Sequence, residues 1–303
     1  MSRAIPVGLQ PLQRNSRLTR LGIFVLWALH FLPLGALAAL GSAIGRLAYW
    51  LVPERRMVAR VNLAKCFPQT PAAERERIAR AHFRWFCRSV VERSVWWWGS
   101  RERIRRLVRV EGEEHLAALN GQGAVLLAPH FVGLDAVMRL AMQYPMASTY
   151  SHQKNRVLDD TVFARRTRFG GGLFSRQETL RPAIRAIRSG SLYYYLPDMD
   201  FGRKGTVFVP FFGVQAATAV GLAYISRLAR APVLPVVTRM LPGGEGYVMR
   251  IYPPWSGFPS GDDLADARRM MAFIEERVLE MPEQYHWLHK RFKTRPEGEP
   301  RFY

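Results

Sequence analysis

From Leu21 to Gly45 the chain carries no charged side chain, reading LGIFVLWALHFLPLGALAALGSAIG. Such a run must leave water. A bilayer core accepts roughly 20 apolar residues as a helix, so the length suffices to span one. Arg14, Arg17 and Arg20 precede the run, and Arg46, Arg55, Arg56 and Arg60 follow it. A cleaved leader has a shorter apolar part and different flanks, so the pattern predicts an uncleaved hydrophobic membrane helix. Residues 1–50 then form a membrane-anchoring segment, and residues 51–303 the catalytic domain. His30 and Pro33 interrupt the run, and basic residues on both sides leave its orientation undecided. A kinked or in-plane helix with both flanks cytoplasmic competes with a single span. A buried helix of a soluble domain is the third reading.

The other 253 or so residues suit one large domain. Apolar residues make up 49% of the chain and charged residues 22%, which excludes a disordered or fibrous chain. The formal net charge is +20, from 44 basic and 24 acidic residues, and only five of the basic ones are lysine. Arginine holds phosphate through a planar fork of donors. The expected partners are therefore anionic: nucleic acid, an acidic membrane or a phosphorylated substrate. The charge is scattered and no known nucleic-acid module is visible, which argues against nucleic acid. Two cysteines, Cys66 and Cys87, are too few for a disulfide framework or a cysteine-built zinc site.

Residues 46–120 read as helical and basic, with aromatic residues at helical spacing from Pro71 to Arg93. Three consecutive indoles follow at Trp96, Trp97 and Trp98. They point to different sides of a helix and cannot all be core. Their readings are an interfacial anchor, a wall for an acyl chain, or ordinary packing. Beyond them, strand signals fall at Ala124–Ala128, Ser191–Leu196, Val233–Thr238 and Tyr247–Tyr252. Helical stretches fall at Asp159–Arg168, Glu178–Ser189, Ala217–Ala229 and Asp262–Glu280, and a Gly-rich turn at 242–246 joins the last two strands. Strands alternating with helices predict an α/β fold, its sheet covered on both faces.

The chemistry gathers at two strand ends. The first is Ala128-Pro129-His130, with Asp135 five residues on. If His130 sits in the turn and Asp135 opens the next helix, the carboxylate can hold one ring nitrogen while the other faces substrate. No serine or cysteine stands beside this histidine as nucleophile. The chemistry expected is direct: His130 deprotonates an acceptor hydroxyl, whose oxygen attacks an activated acyl carbonyl. A capping aspartate beside a surface histidine is the bland alternative. The second strand end runs Leu196-Pro197-Asp198-Met199-Asp200-Phe201-Gly202. With His130, its carboxylates suit a metal site, a clamp for sugar hydroxyls or a loop-bracing network, and Asp-x-Asp alone is a weak metal signal. A third cluster, Arg165-Arg166-Thr167-Arg168 before Gly170-Gly171-Gly172, suits phosphate contact or a solvated helix end. It lacks the Lys-Ser/Thr of a P-loop. Arg203 and Lys204 extend the same positive rim.

Together these residues resemble the bacterial lipid A biosynthesis acyltransferases of the late, lauroyl type, within the glycerolipid acyltransferase superfamily. The likeness begins at the Arg60-x-Asn62…Phe67-Pro68 block. It runs through APHFVGLD (128–135), Arg166-Thr167-Arg168 and PDMDFG (197–202), then VFVPFFG (207–213) and Ala216-Ala217-Thr218. It ends in the long block from Pro282 to Pro296. The resemblance implies a glycerolipid acyltransferase-like fold with a central, mixed, mostly parallel sheet. It implies that His130 and Asp135 are the catalytic pair, where many enterobacterial-type members carry glutamate at the second position. Arg166, Arg168, Asp198, Asp200 and Gly202 become substrate-binding candidates, although this chain lacks the superfamily's Phe-Pro-Glu-Gly-type block there. The implied donor is an acyl carrier protein thioester, with no metal and no other cofactor. The implied acceptor is a hydroxyl on the fatty chain of a phosphorylated lipid A precursor. The place is an anionic bacterial inner membrane, with the catalytic domain on its cytoplasmic side. A relative acting on a lysophospholipid, an ornithine lipid or a glycolipid is the alternative.

Overall fold

The computed structural model describes residues 16–175 and 179–303. Arg14 and Glu178, both named above, lie outside the described residues. The uncharged run folds as two helices rather than one. The first, α1 (Ser16–Leu29), ends in a turn, and α2 (Leu34–Leu51) starts after Pro33. Pro33 has no N–H to continue the ladder of α1. The Arg103 side chain donates to the carbonyls of His30 and Leu32, which satisfies acceptors left bare at the break. At 1.5 Å per residue the described part of α1 is about 21 Å long. The 18 residues of α2 are long and apolar enough to cross a membrane, with a third of them buried in the protein.

Helix α3 (Pro53–Cys66) starts on its proline, and α4 (Ala72–Trp98) is the longest at 27 residues. Helix α2 packs along α4. A Cβ at Gly45 would stand 2.5 Å from the Arg84 Cα, and one at Gly41 2.6 Å from the Arg88 Cα. Glycines four apart share one helix face, so this pair lets the two backbones touch. Beneath the contact, Arg88 and Glu92 form a buried ion pair at 2.8 Å, and the Tyr247 hydroxyl donates to Glu92. Of the three indoles, Trp96 and Trp97 are core and Trp98 is half-buried. Trp96 meets the Tyr247 ring edge-on at 4.8 Å, and the Arg165 guanidinium lies 5.2 Å from the Trp98 ring. Ordinary packing accounts for all three.

The rest is α/β. In chain order come α5 (Arg101–Leu107), β1 (Val108–Glu111), α6 (Glu114–Ala117), β2 (Ala124–Leu127), α7 (Met138–Ala141), β3 (Met146–Tyr150), α8 (Arg156–Arg166) and β4 (Gly172–Ser175). Then follow α9 (Arg181–Arg188), β5 (Leu192–Tyr195), β6 (Thr206–Phe211), β7 (Val214–Ala219), α10 (Gly221–Ala229), β8 (Val233–Met240), β9 (Tyr247–Ile251) and α11 (Asp263–Glu280). Seven strands form one mixed sheet in the order β1-β9-β8-β2-β5-β3-β4. Every neighbouring pair is parallel except β8 with β9. Alternate side chains of β2 serve opposite layers. Val125 and Leu127 pack with α9, α10 and α11, while Leu126 packs with Trp96, Ile104 and Met138.

Within the seven-stranded sheet the short strands β1, β3 and β4 add to the four read from sequence, and the β6–β7 pair outside it adds two more. The helix expected over Ala217–Ala229 is divided. Residues up to Ala219 form β7, paired antiparallel with β6, and the helix starts at Gly221. The small side chains of Ala216 and Ala217 are fully buried across from Val209 and Phe208, a packing that strand pairing rewards and local helix propensity does not show.

Candidate active site

Strand β2 stops at Ala128-Pro129, and His130 follows in the turn at the strand's C-terminal end. Its neighbour β5 runs parallel, with Leu127 opposite Tyr195. Three residues past each of these stand His130 and Asp198, side by side. The Asp198 carboxylate grips the histidine twice: Oδ1 lies 2.6 Å from the ring Nδ1, and Oδ2 accepts the backbone N–H at 2.9 Å. Asp198 is fully buried, and the His130 side chain keeps 23% of its surface exposed. Burial pushes the Asp198 carboxyl up, but the charge and hydrogen bonds of His130 outweigh this and hold it below the usual carboxylate range.

The expected bond between His130 and Asp135 is therefore replaced. Asp135 opens a short 3₁₀ turn at Leu134–Val137. Its Oδ2 accepts from the Arg93 Nε at 2.8 Å, and its Oδ1 faces an Arg166 nitrogen at 3.9 Å. Burial raises the Asp135 carboxyl as well, and Arg93 and Arg166 more than offset it, so it too lies low. Each carboxylate is committed, one to the histidine and one to two arginines.

The remaining candidates divide. Arg166 lines the cavity described below. Arg168 does not, because its guanidinium donates to the carbonyls of Trp96 and Gly99 and ties α8 to the end of α4. Asp200 braces its own loop, accepting from the Gly202 N–H at 2.9 Å, the Thr294 N–H at 2.6 Å and the Thr294 hydroxyl at 2.8 Å. Gly202 supplies the turn at φ +91°, a conformation that favours glycine. Arg203 is exposed and donates to the Arg295 carbonyl. Only Phe201 of this loop reaches the cavity wall.

The C-terminal block holds the histidine from behind. The His286 N–H donates to the His130 carbonyl at 3.0 Å, and the Val132 N–H to the Gln284 carbonyl at 2.9 Å. The Gln284 side chain bonds both backbone groups of Met240, each at 2.9 Å. Asn62 of α3 donates to the carbonyls of Trp287 and His289 at 2.8 Å and accepts from the Tyr303 hydroxyl. Buried Arg291 donates to Ala217 and Thr218. The motif residues Asn62, Thr218, Gln284 and Arg291 thus act as braces.

In front of His130 lies a cavity of about 410 Å³. His130, Arg93, Asp135 and Arg166 are on its polar side, and Leu134, Val137, Met138, Ala141, Met146 and Leu173 on its apolar side. Among the described residues, no group of three or more His, Cys, Asp or Glu side chains is arranged to hold a metal ion. A strand-end histidine with a buried carboxylate, facing a slot half arginine and half hydrocarbon, defines an α/β protein equipped to move a proton beside an amphipathic ligand. The comparisons give that class its name. The family model described as bacterial lipid A biosynthesis acyltransferase matches residues 12–294. A lipid A biosynthesis palmitoleoyltransferase of Escherichia coli K12 is 36% identical over 94% of each chain. The lauroyltransferase of the same strain is 35% identical over 94% of each, and the myristoyltransferase 32% identical over 85% of this chain and 81% of its own. The chain belongs to the bacterial lipid A biosynthesis acyltransferases and is an O-acyltransferase. A solved 1-acyl-sn-glycerophosphate acyltransferase from Thermotoga maritima aligns over 82% of the chain at 15% identity and a TM-score of 0.38, a likeness too slight to bear on the site.

Proposed function

We propose that this enzyme moves a fatty acyl chain from an acyl carrier protein thioester to a hydroxyl of a phosphorylated lipid A precursor. The observation that carries the chemistry is the doubly bonded His130–Asp198 pair at the mouth of a half-apolar cavity. Asp198 accepts the Nδ1 proton and so fixes the tautomer, leaving Nε2 as base. Nε2 takes the acceptor hydroxyl's proton as the oxygen attacks the thioester carbonyl. Collapse of the adduct breaks the C–S bond, and the proton returns to the departing sulfur. The apolar wall suits the acyl chain, and Arg93 with Arg166 suits acceptor phosphate.

The N-terminal helices suit a membrane-bound enzyme whose acceptor stays in the bilayer. Phe24, Phe31, Leu47 and Leu51 are each more than half exposed. Thr19 of α1 accepts from the Asn155 amide at 2.9 Å at the start of α8, the helix that ends on Arg166. An apolar surface thus adjoins the cavity. The anionic inner leaflet, with the catalytic domain on its cytoplasmic side, suits the flanking arginines.

The test is an in vitro assay with a panel of acyl carrier protein thioesters and purified lipid A precursor, intact or dephosphorylated. Transfer from the carrier thioester is expected. In Arg166→Ala, KM for the intact acceptor should rise at least tenfold and KM for the dephosphorylated one should not. Wild-type transfer to a lysophospholipid but not to the precursor would sink the proposal.

A further inference from the structure

We propose that the groove between α9 and α10 is where the acyl-loaded carrier protein docks. The inference rests on the donor assigned above. On its solvent face α9 carries Arg181, Arg185 and Arg188, all exposed and all lining the groove, and beyond its lining Arg227 of α10 and the C-cap Arg230 are exposed too. Neither helix contains an acidic residue. Among the described residues, none of the five forms an ion pair. Like charges four apart on one helix repel, so the fold gains nothing by keeping them there. Their floor is apolar: Leu180, Ile184, Tyr224 and Leu228 line a groove of about 700 Å³. The Arg188 guanidinium donates to the Leu228 carbonyl at 2.6 Å, tying the two helices together. An uncompensated cationic rim around an apolar strip is complementary to an acidic helix bearing a few exposed apolar side chains.

The placement suits delivery. The first turn of α10 touches Tyr195, since a Cβ on Gly221 would stand 2.2 Å from its hydroxyl. Helix α9 follows β4. Tyr195 and the Gly172–Leu173 end of β4 both line the cavity in front of His130. The groove also avoids the proposed membrane face. Helices α9 and α10 pack on the sheet face of Val125 and Leu127, whereas α1 packs Leu26 and Leu29 on the other. A protein can therefore occupy the groove while the apolar helices engage lipid.

The double variant Arg181→Glu, Arg185→Glu tests this in the full-length enzyme. Its Kd for acyl carrier protein and its KM for the carrier thioester should each rise about tenfold or more, as charge reversal at such surfaces does. Transfer from acyl-pantetheine, which has no protein to dock, should stay within twofold of wild type. Sedimentation with phosphatidylglycerol vesicles and Tm should not move, and Arg185→Lys should behave as wild type. Carrier affinity within twofold of wild type in the double variant overturns the groove assignment and leaves the donor standing. Equal losses with both thioesters mark a structural defect, and loss of vesicle binding alone marks a lipid patch; either result overturns the proposal. A wild-type enzyme that binds no carrier protein overturns both the donor and the groove.

Discussion

At the scale of single residues, the proposed chemistry turns on how Asp135 and Asp198 are partnered. A carboxylate held by two arginines stays ionised and orients them, and it has no free oxygen for the histidine ring. One that bonds a histidine at both Nδ1 and the backbone fixes that ring's tautomer and angle. Asp198→Asn should lower kcat by ~10²–10⁴ with little change in KM, in line with losses seen when a base loses its orienting acid. Asp135→Asn should act mainly on KM for the phosphorylated acceptor, because it releases Arg93 and Arg166. Steady-state kinetics of both variants, with His130→Ala as the inactive reference, separates the roles. A kcat collapse in Asp135→Asn alone would return the pairing to the nearer aspartate. His130 was legible in the sequence because an apolar strand ending in Ala-Pro announces an exposed turn. Its partner was visible only as an alternating acid at another strand end. What joins the two is the register of β2 on β5, a contact between residues 68 apart that no local pattern encodes. The same holds for Arg168. Its side chain reads as a phosphate ligand, and only the arrival of the carbonyls of Trp96 and Gly99 makes it a strut.

At the scale of elements, the contact of α2 with α4 is the strictest fit in the helical half. Gly41 and Gly45 admit no side chain, because the obstacle on the other side is backbone. Gly45→Leu should cost at least about 1–3 kcal/mol as overpacking, read as a drop in Tm or urea midpoint, whereas Gly22→Leu on α1, with nothing within 4 Å, should be nearly silent. The apolar run was recognisable as helix, and its break was foreshadowed by Pro33. That its inner face packs on α4 was not, since glycines at i and i+4 fit a lipid-facing helix as well as a packed one. Double replacement of Phe24 and Phe31 by Ser should weaken sedimentation with anionic vesicles severalfold while leaving Tm within about 2 °C, as exposed sites far from core contacts allow. Unchanged vesicle binding would remove the membrane role from this surface.

At the scale of the whole molecule, buried titratable groups set a direction for acid stability. His82 of α4 is fully buried, and burial lowers its pKa to about 4, although its Nδ1 bonds the Glu283 carbonyl. His286 is shifted in the same direction, chiefly by burial and by the neighbouring histidines. A histidine whose folded pKa lies below its unfolded value of ~6.5 contributes stability that is full above that value. The contribution fades as pH falls towards 4, because the unfolded chain binds the proton first. For His82 alone that amounts to about 3 kcal/mol over the interval. Glu92, whose carboxyl burial pushes up despite Arg88, acts with the opposite sign and favours the folded chain as pH falls. Urea midpoints should therefore drop between pH 6.5 and 4.5, and His82→Gln should flatten that decline. A steeper decline in the variant would contradict the assignment. Over 120–280, β2, β5, β8, β9 and the longer helices could be read along the chain, whereas the short strands β3 and β4 and the β6–β7 pair could not. The bracing of the whole by the last 20 or so residues could not be read either, because it depends on partners far away in sequence.

The grip of the C-terminal block on the His130 turn also fixes when activity can arise during synthesis. Once synthesis has gone far enough past residue 200 for β5 to leave the ribosome, His130 and Asp198 are both present and β2 and β5 are free to pair. The turn still lacks the N–H of His286 and the carbonyl of Gln284, and the side chain that pins Gln284 to β8. A nascent chain can therefore assemble its proton-transfer couple long before it can hold that couple in place. On the proposed mechanism, a chain terminated before Tyr285 is expected to be inactive, because nothing then holds the His130 turn from behind.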